Sequence, residues 1–183
     1  GREAALQLTR DFFYKGEIAR QMVDFLQEQG GLLTMEDMAN FSVGIEPPVA
    51  GSYKGVNVYT CGPWCQGPAN IQALHVLEGF DLKAMGHNSA DHLHVLIEAL
   101  KLAFADREAF YGDPDFVDVP LDGLTSKEYA ALRRTAIDMR NAYPEMHPAG
   151  NPWPYQESGG GHTIPQAPTP VSGPVPPDTS YAC

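Results

Sequence analysis

Ser89 to Pro114 reads SADHLHVLIEALKLAFADREAFYGDP and holds the longest helical pattern in the chain. Its apolar residues Leu93, Leu96, Ile97, Leu100 and Phe104 recur at steps of three and four as far as Tyr111, the spacing of one face of a helix. Ser89 offers a capping hydroxyl at the start, and Gly112-Asp113-Pro114 supplies the stop. The rest of the fold is read outward from this helix.

Toward the N-terminus, a Gly and Pro loop, Cys61-Gly62-Pro63-Trp64-Cys65-Gln66-Gly67-Pro68, leads into a helix from about Ala69 to Glu78. Before it, Val49 to Tyr53 and Val56 to Thr60 alternate around Lys54-Gly55, which reads as a β-hairpin. The loop is thus a strand-to-helix connection, a common place for function. Further upstream, Glu3 to Tyr14 and Glu17 to Gln29 carry apolar stripes closed by Gly16 and Gly30-Gly31, so they form a helix pair. Thr34 with Asp37 three positions later resembles a capping box for a short helix ending near Asn40.

Toward the C-terminus, Phe116 to Leu121 reads as a short extended piece. Ser126 caps a further helix through Tyr129, Leu132 and Ile137 to about Asn141, where the ordered pattern is expected to end. From Tyr143 to Pro177 the chain is crowded with proline and carries Gly159-Gly160-Gly161. Proline removes amide donors and fixes φ, so this segment reads as an extended, mobile connector. It delivers the tail Asp178-Thr179-Ser180-Tyr181-Ala182-Cys183.

Composition narrows the class. With 183 residues, 43% hydrophobic and 19% charged, the chain is long enough to bury one sizeable core and is not a disordered acidic tail. A formal charge of −11 repels phosphate backbones and anionic lipid, which argues against a nucleic-acid partner. No apolar run approaches the roughly 20 residues that span a bilayer. The start, Gly1-Arg2-Glu3-Ala4, is not a secretory signal. Because it lacks Met and falls inside a helical pattern, the sequence reads as an excerpt, with the compartment left open between cytoplasm and periplasm or secretion.

Several clusters invite a chemical reading. Cys61 and Cys65 read either as ordinary thiols or as a local disulfide, and zinc lacks two further ligands nearby. His87, His92 and His94 read as a surface cluster at a helix start, because His92 and His94, two apart, point in different directions on a helix. Asp106 and Arg107 are expected to anchor helix packing or cap neighbouring turns through ion pairs. Neither glycine run has the ending of a phosphate-binding loop. No cofactor or metal is expected. Thr179, taken alone, is a threonine opening a strand after a proline linker.

A set of ordered stretches changes the weight on Thr179. Tyr14-Lys15-Gly16-Glu17-Ile18-Ala19, Gly30-Gly31-Leu32-Leu33-Thr34-Met35-Glu36-Asp37 and Pro48-Val49 through Gly51-Ser52-Tyr53-Lys54-Gly55 each match a family pattern. So do Glu98-Ala99 with Ala103-Phe104-Ala105-Asp106-Arg107, Gly112-Asp113-Pro114-Asp115-Phe116, and Val119-Pro120-Leu121 with Leu124. Together they resemble the γ-glutamyltranspeptidase family of N-terminal nucleophile hydrolases.

That resemblance implies an α+β fragment, mostly helical with a hairpin, belonging to an αββα four-layer sandwich completed by sequence outside the chain. It implies a precursor that cuts itself between Asp178 and Thr179. Residues 1–142 would then be the helical and hairpin part of the large subunit, 143–178 the linker before the processing site, and 179–183 the start of the small subunit that pairs with it. Thr179 would be the nucleophile and new N-terminus, and Ser180, where the family usually has a second threonine, would orient it. The substrate would be a γ-glutamyl or other amide, with water or an amine as acceptor.

Departures from the family pattern are equally specific. Tyr181 stands where a histidine is common, Cys183 where a serine is common, and the loop after the hairpin lacks the usual serines. They leave room for acylase-type or oxamate-type substrates. The carboxylate-binding arginine and the oxyanion-hole glycines are expected outside residues 1–183. The competing class is a non-catalytic helical module that binds a partner.

Overall fold

A computed structural model of the chain describes residues 1–156. They fall into two units, 1–47 and the part that begins at Pro48.

In the first unit, α1 (Arg2–Tyr14) and α2 (Glu17–Glu28) are followed by α3 (Met35–Asn40). Helix α2 ends in a Schellman motif. Gly30 takes φ +82°, and the amides of Gly30 and Gly31 donate to the carbonyls of Gln27 and Leu26 at 3.0 and 2.7 Å. The capping box of α3 is present, with the Asp37 amide donating to Thr34 Oγ1 and the Thr34 amide donating to Asp37 Oδ2. A small core of Ala19, Val23 and Met38 joins α2 to α3, backed by Tyr14, Leu33 and Met35.

The second unit opens with an antiparallel hairpin, β1 (Val49–Tyr53) and β2 (Val56–Thr60), in the register Val49 to Thr60 through Tyr53 to Val56. Lys54 and Gly55 take φ +47° and +83°, the pair of left-handed conformations that a two-residue turn matched to strand twist requires. A short 3-10 turn, Pro63–Cys65, leads to α4 (Pro68–Leu77). Then come α5 (Leu82–Met85), α6 (Ala90–Phe110), α7 (Leu121–Thr125) and α8 (Lys127–Arg134), with a 3-10 turn at Trp153–Tyr155. The architecture of the described residues is mostly helical with one two-stranded antiparallel hairpin.

Helix α4 is the centre of this unit. Ala69, Ile71, Ala73, Val76 and Leu77 are buried on several sides of it, where β1, α6, α7 and α8 pack. The hairpin approaches closely: a methyl group on Gly51 would lie 2.6 Å from Ile71 Cγ2. One apolar cluster joins Val76 and Leu77 to Val95, Ala99, Leu102 and Ala130. A second joins Phe110, Leu124, Tyr129 and Trp153.

Four expectations change. Helix α5, capped by Asp81 through the Ala84 amide, and helix α7 were not foreseen. Phe116 to Leu121 is not a strand: the amides of Phe116 and Val117 turn back onto the Asp113 carbonyl, and Pro120 starts α7. Helix α8 stops at Arg134 rather than near Asn141, because its last amides tighten into i to i+3 bonds from Thr135, Ala136 and Ile137. The stop leaves Arg134 to donate to the carbonyls of Val76 and His75 at 2.7 and 2.9 Å, satisfying the open end of α4. Finally, order does not end at Asn141. Residues 143–156 have no strand or α-helix, yet His147, Pro152 and Trp153 are buried.

Candidate functional site

Helix α6 carries two carboxylates eight residues apart on one face, Glu98 and Asp106, exposed by only 2% and 1%. Burying a charge is costly unless it is paired and hydrogen-bonded, so each carboxylate gathers donors.

Asp106 Oδ2 accepts from the Tyr129 hydroxyl at 2.9 Å and from Gln72 Nε2 at 3.2 Å. Its Oδ1 accepts from the Gly150 amide at 2.8 Å and pairs with Arg133 Nη2 at 3.1 Å. The Tyr111 hydroxyl donates to Gln72 Oε1 at 2.5 Å and extends the network. Burial pushes the Asp106 carboxyl above its ordinary range, against the pull of Arg133, Gly150, Tyr129 and Gln72. Burial, then the neighbouring Asp106 charge, drives both tyrosine phenols far up, so they remain donors. The adjoining cavity, about 10 Å³, is far too small for a substrate.

Glu98 is held differently. Lys101 Nζ donates to Oε1 at 2.7 Å and His147 Nε2 bonds Oε2 at 2.7 Å. Lys101 also donates to the Tyr143 carbonyl at 2.5 Å, and the Tyr143 ring stacks on His147 at 4.3 Å. Burial raises the Glu98 carboxyl, but the hydrogen bonds and charges of Lys101 and His147 outweigh it and hold the group below the ordinary range.

An opening of about 350 Å³ lies between the loop after β2 and the end of α6. Trp64, 55% exposed, forms one wall, with Arg107, Tyr111 and Asp113 opposite. Arg107 Nη1 donates to Gln66 Oε1 at 2.9 Å across it, and Gln66 holds a left-handed φ of +61°. The lining of the opening includes a guanidinium, two carboxylates and two aromatic rings, but no serine, threonine or cysteine. The residues expected to supply the chemistry, Asp178, Thr179 and Ser180, lie outside the described residues.

The other clusters resolve as follows. The Asp106 to Arg133 pair is the packing anchor expected of Asp106, whereas Arg107 pairs with its neighbour Glu108 and bridges to Gln66. His92 Nδ1 accepts from the Asn88 amide, and His94 bonds the Asp138 carbonyl. Cys61 and Cys65 are exposed, and no disulfide joins them. Among the described residues no helix is long and apolar enough to cross a membrane. Gln72, Tyr129, Arg133 and His147 escaped the sequence reading, since they meet the α6 carboxylates from 23 to 49 residues away. His147, Trp153 and Tyr155 in a proline-rich stretch were the signals that some of that stretch is seated rather than solvated.

Comparison with known proteins places these features. A family model described as gamma-glutamyltranspeptidase matches residues 5–181. A glutathione hydrolase proenzyme of Escherichia coli (strain K12) is 43% identical over 151 residues, covering 81% of this chain and 26% of the relative. An acylase ACY 1 proenzyme of Pseudomonas sp. (strain SE83) is 40% identical over 133 residues, covering 72% of the chain and 24% of the relative. Among solved structures, the gamma-glutamyltranspeptidase of Helicobacter pylori superposes with a TM-score of 0.70 at 35% identity, covering 78% of this chain and 42% of that one. The chain spans about a quarter of the length of these curated relatives.

Proposed function

The chain belongs to the gamma-glutamyltranspeptidase family, and from that premise we propose that it is part of a self-processing amide hydrolase and acyltransferase with Thr179 as nucleophile. The observation that carries this reading is the reach of the family match, which runs through residue 181 and so takes in Asp178-Thr179-Ser180.

In this reading residues 1–142 are the helical and hairpin part of a large subunit, 143–178 the linker before the processing site, and 179–183 the first residues of a small subunit. The two subunits together complete an αββα sandwich. Maturation begins when Thr179 Oγ attacks the Asp178 carbonyl carbon. The peptide C–N bond breaks, the Thr179 nitrogen takes up the hydroxyl proton, and an ester joins Asp178 to Oγ. Water then cleaves the ester, leaving a carboxylate on Asp178 and returning a proton to Oγ.

The freed α-amine is the base for catalysis. It accepts the proton of Thr179 Oγ as the oxygen attacks a γ-glutamyl amide, and the departing amine takes that proton. Water or an amine then resolves the acyl-enzyme. Ser180 orients Thr179 by hydrogen bonding. Until the Asp178 to Thr179 bond is cut there is no such amine, so the uncut chain is a zymogen.

Intact-mass measurement and N-terminal sequencing of the protein carrying this sequence, beside Thr179→Ala, test the reading. A new N-terminus at Thr179 that the variant lacks is the expected result. An uncut chain in both would sink it and favour the partner-binding module. A second reading, cleavage of a different amide, draws support from the acylase relative and from Tyr181 and Cys183. Turnover of a γ-glutamyl anilide against that of an aliphatic acyl amide separates the two.

A further inference from the structure

The hairpin comes down onto α4 at His75. A methyl group on Gly51 of β1 would lie 3.3 Å from His75 Nε2, and the carbonyls of Ser52 on β1 and Thr125 on α7 face the ring. His75 is 4% exposed, and neither ring nitrogen closes a hydrogen bond among the described residues. Its backbone is tied down, because Arg134 Nη2 donates to the His75 carbonyl at 2.9 Å.

A neutral imidazole has one donor and one acceptor, so it does not serve two carbonyls at once. An imidazolium has two donors, but its charge would then sit away from water. The charged groups around the ring decide between the two forms. Lys127 of α8 opposes a second positive charge, and Arg134 places another beside the His75 carbonyl. Glu78, three residues on, favours the imidazolium, but its Oε2 is paired with Lys127 at 2.8 Å and its Oε1 accepts from the Lys54 amide at 2.7 Å. The other carboxylates of the packed elements have their own partners: Asp122 of α7 holds Gln156, Glu98 of α6 holds His147, and Asp106 of α6 holds Tyr129. Burial, then Lys127, keeps the imidazole below its ordinary range, so the docked ring is neutral.

Out of the seam, the ring returns to water and to the ordinary imidazole value. It then takes up a proton that the docked ring refuses. Because the folded value lies below the unfolded one, docking is at full strength above about pH 6.5 and weakens as pH falls toward the folded value.

We propose that His75 is a proton-sensitive latch that seats β1 on α4 while neutral and lets the hairpin go when the solution turns mildly acidic. The latch does not depend on Thr179 being a nucleophile. It acts on a hairpin whose second strand ends at Thr60, directly before the loop that carries Trp64 and Gln66 to the opening beside Arg107.

Hydrogen exchange read by mass spectrometry tests the latch on the protein carrying this sequence, at pH 7.5 and 5.5 with intrinsic exchange rates corrected for. In the wild type, the opening constant of the amides in residues 49–60 is expected to rise up to about tenfold at the lower pH, the ratio that one proton on an ordinary imidazole allows. The amides of α2, in the other unit, are expected to stay level. His75→Leu takes up no proton, and its hairpin is expected to open equally at both pH values. A hairpin that responds to acid as strongly in His75→Leu as in the wild type would overturn the proposal. So would a wild-type hairpin that opens equally at both pH values, or α2 amides that rise with it. If His75→Leu does not fold, His75→Gln decides on the same terms, since it carries no charge and keeps a donor for one carbonyl.

Discussion

The middle and the C-terminal part of helix α6 hold the same chemical group in opposite states of comfort. Glu98 and Asp106 are both buried carboxylates, yet the first is pulled below its ordinary pKa and the second is pushed above it. Asp106 has the larger set of donors, from α4, α8 and the Gly150 amide, while Glu98 has Lys101, exposed on one side, and His147. Depth decides the difference. Where desolvation is greatest, even four partners do not offset it, and a shallower carboxylate with fewer partners is better served.

Deleting each carboxylate breaks this comparison most severely. Asp106→Ala strands Arg133 and Tyr129 beside a void and is expected to cost about 3 to 5 kcal/mol. Glu98→Ala, whose Lys101 partner reaches solvent, is expected to cost clearly less. Chemical denaturation of both variants checks the order, and equal losses would show that depth is not the deciding variable. A smaller effect isolates one donor: Tyr129→Phe leaves Asp106 with three partners and is expected to lose about 1 to 2 kcal/mol.

The smallest effect is in the pH dependence, and there the two carboxylates carry opposite signs. A depressed carboxyl contributes stability that is present above its unfolded pKa and lost as pH falls through its folded value, so Glu98→Gln flattens the acid limb of the stability curve. A raised carboxyl contributes stability present below its unfolded pKa and lost as pH rises through its folded value. Asp106→Asn therefore steepens that limb. Melting temperatures across the acid range for both variants sharpen the comparison, and slopes that change in the same direction would contradict it.

Helix α6 was legible from its capping serine, its 3 to 4 spacing and its Gly-Asp-Pro stop, but not its buried face: Leu93, Ile97 and Phe104 of the expected stripe are exposed, and Val95, Glu98, Ala99, Leu102 and Asp106 are buried instead. The hairpin was legible from local signals as well. Helix α4 gave a weaker signal, since a helix buried on several sides loses the stripe that marks one buried face. The end of α8 was hidden because Ile137 continues the apolar spacing while Arg133 and Arg134 are drawn off to carbonyls of other segments. The seating of residues 143–156 on the helices was the largest omission. Proline content correctly forbids helix and strand between 143 and 152, but it says nothing about whether a backbone without regular structure is seated on something. Asp106 could be picked out as an anchor, yet its partners lie far along the chain and follow no local rule. The family resemblance, in contrast, rested on short ordered motifs that need no geometry to read.

Trp153 is 9% exposed, packed with Phe110, Leu124 and Tyr129, while Trp64 stands 55% exposed in the loop after the hairpin. The sequence has only these two indoles. One emits from an apolar pocket and the other into water, so an aqueous quencher reaches Trp64 first and a blue-shifted component remains as long as residues 143–156 are seated. The protein thus carries its own optical readout of whether residues 143–156 are docked, with no label attached.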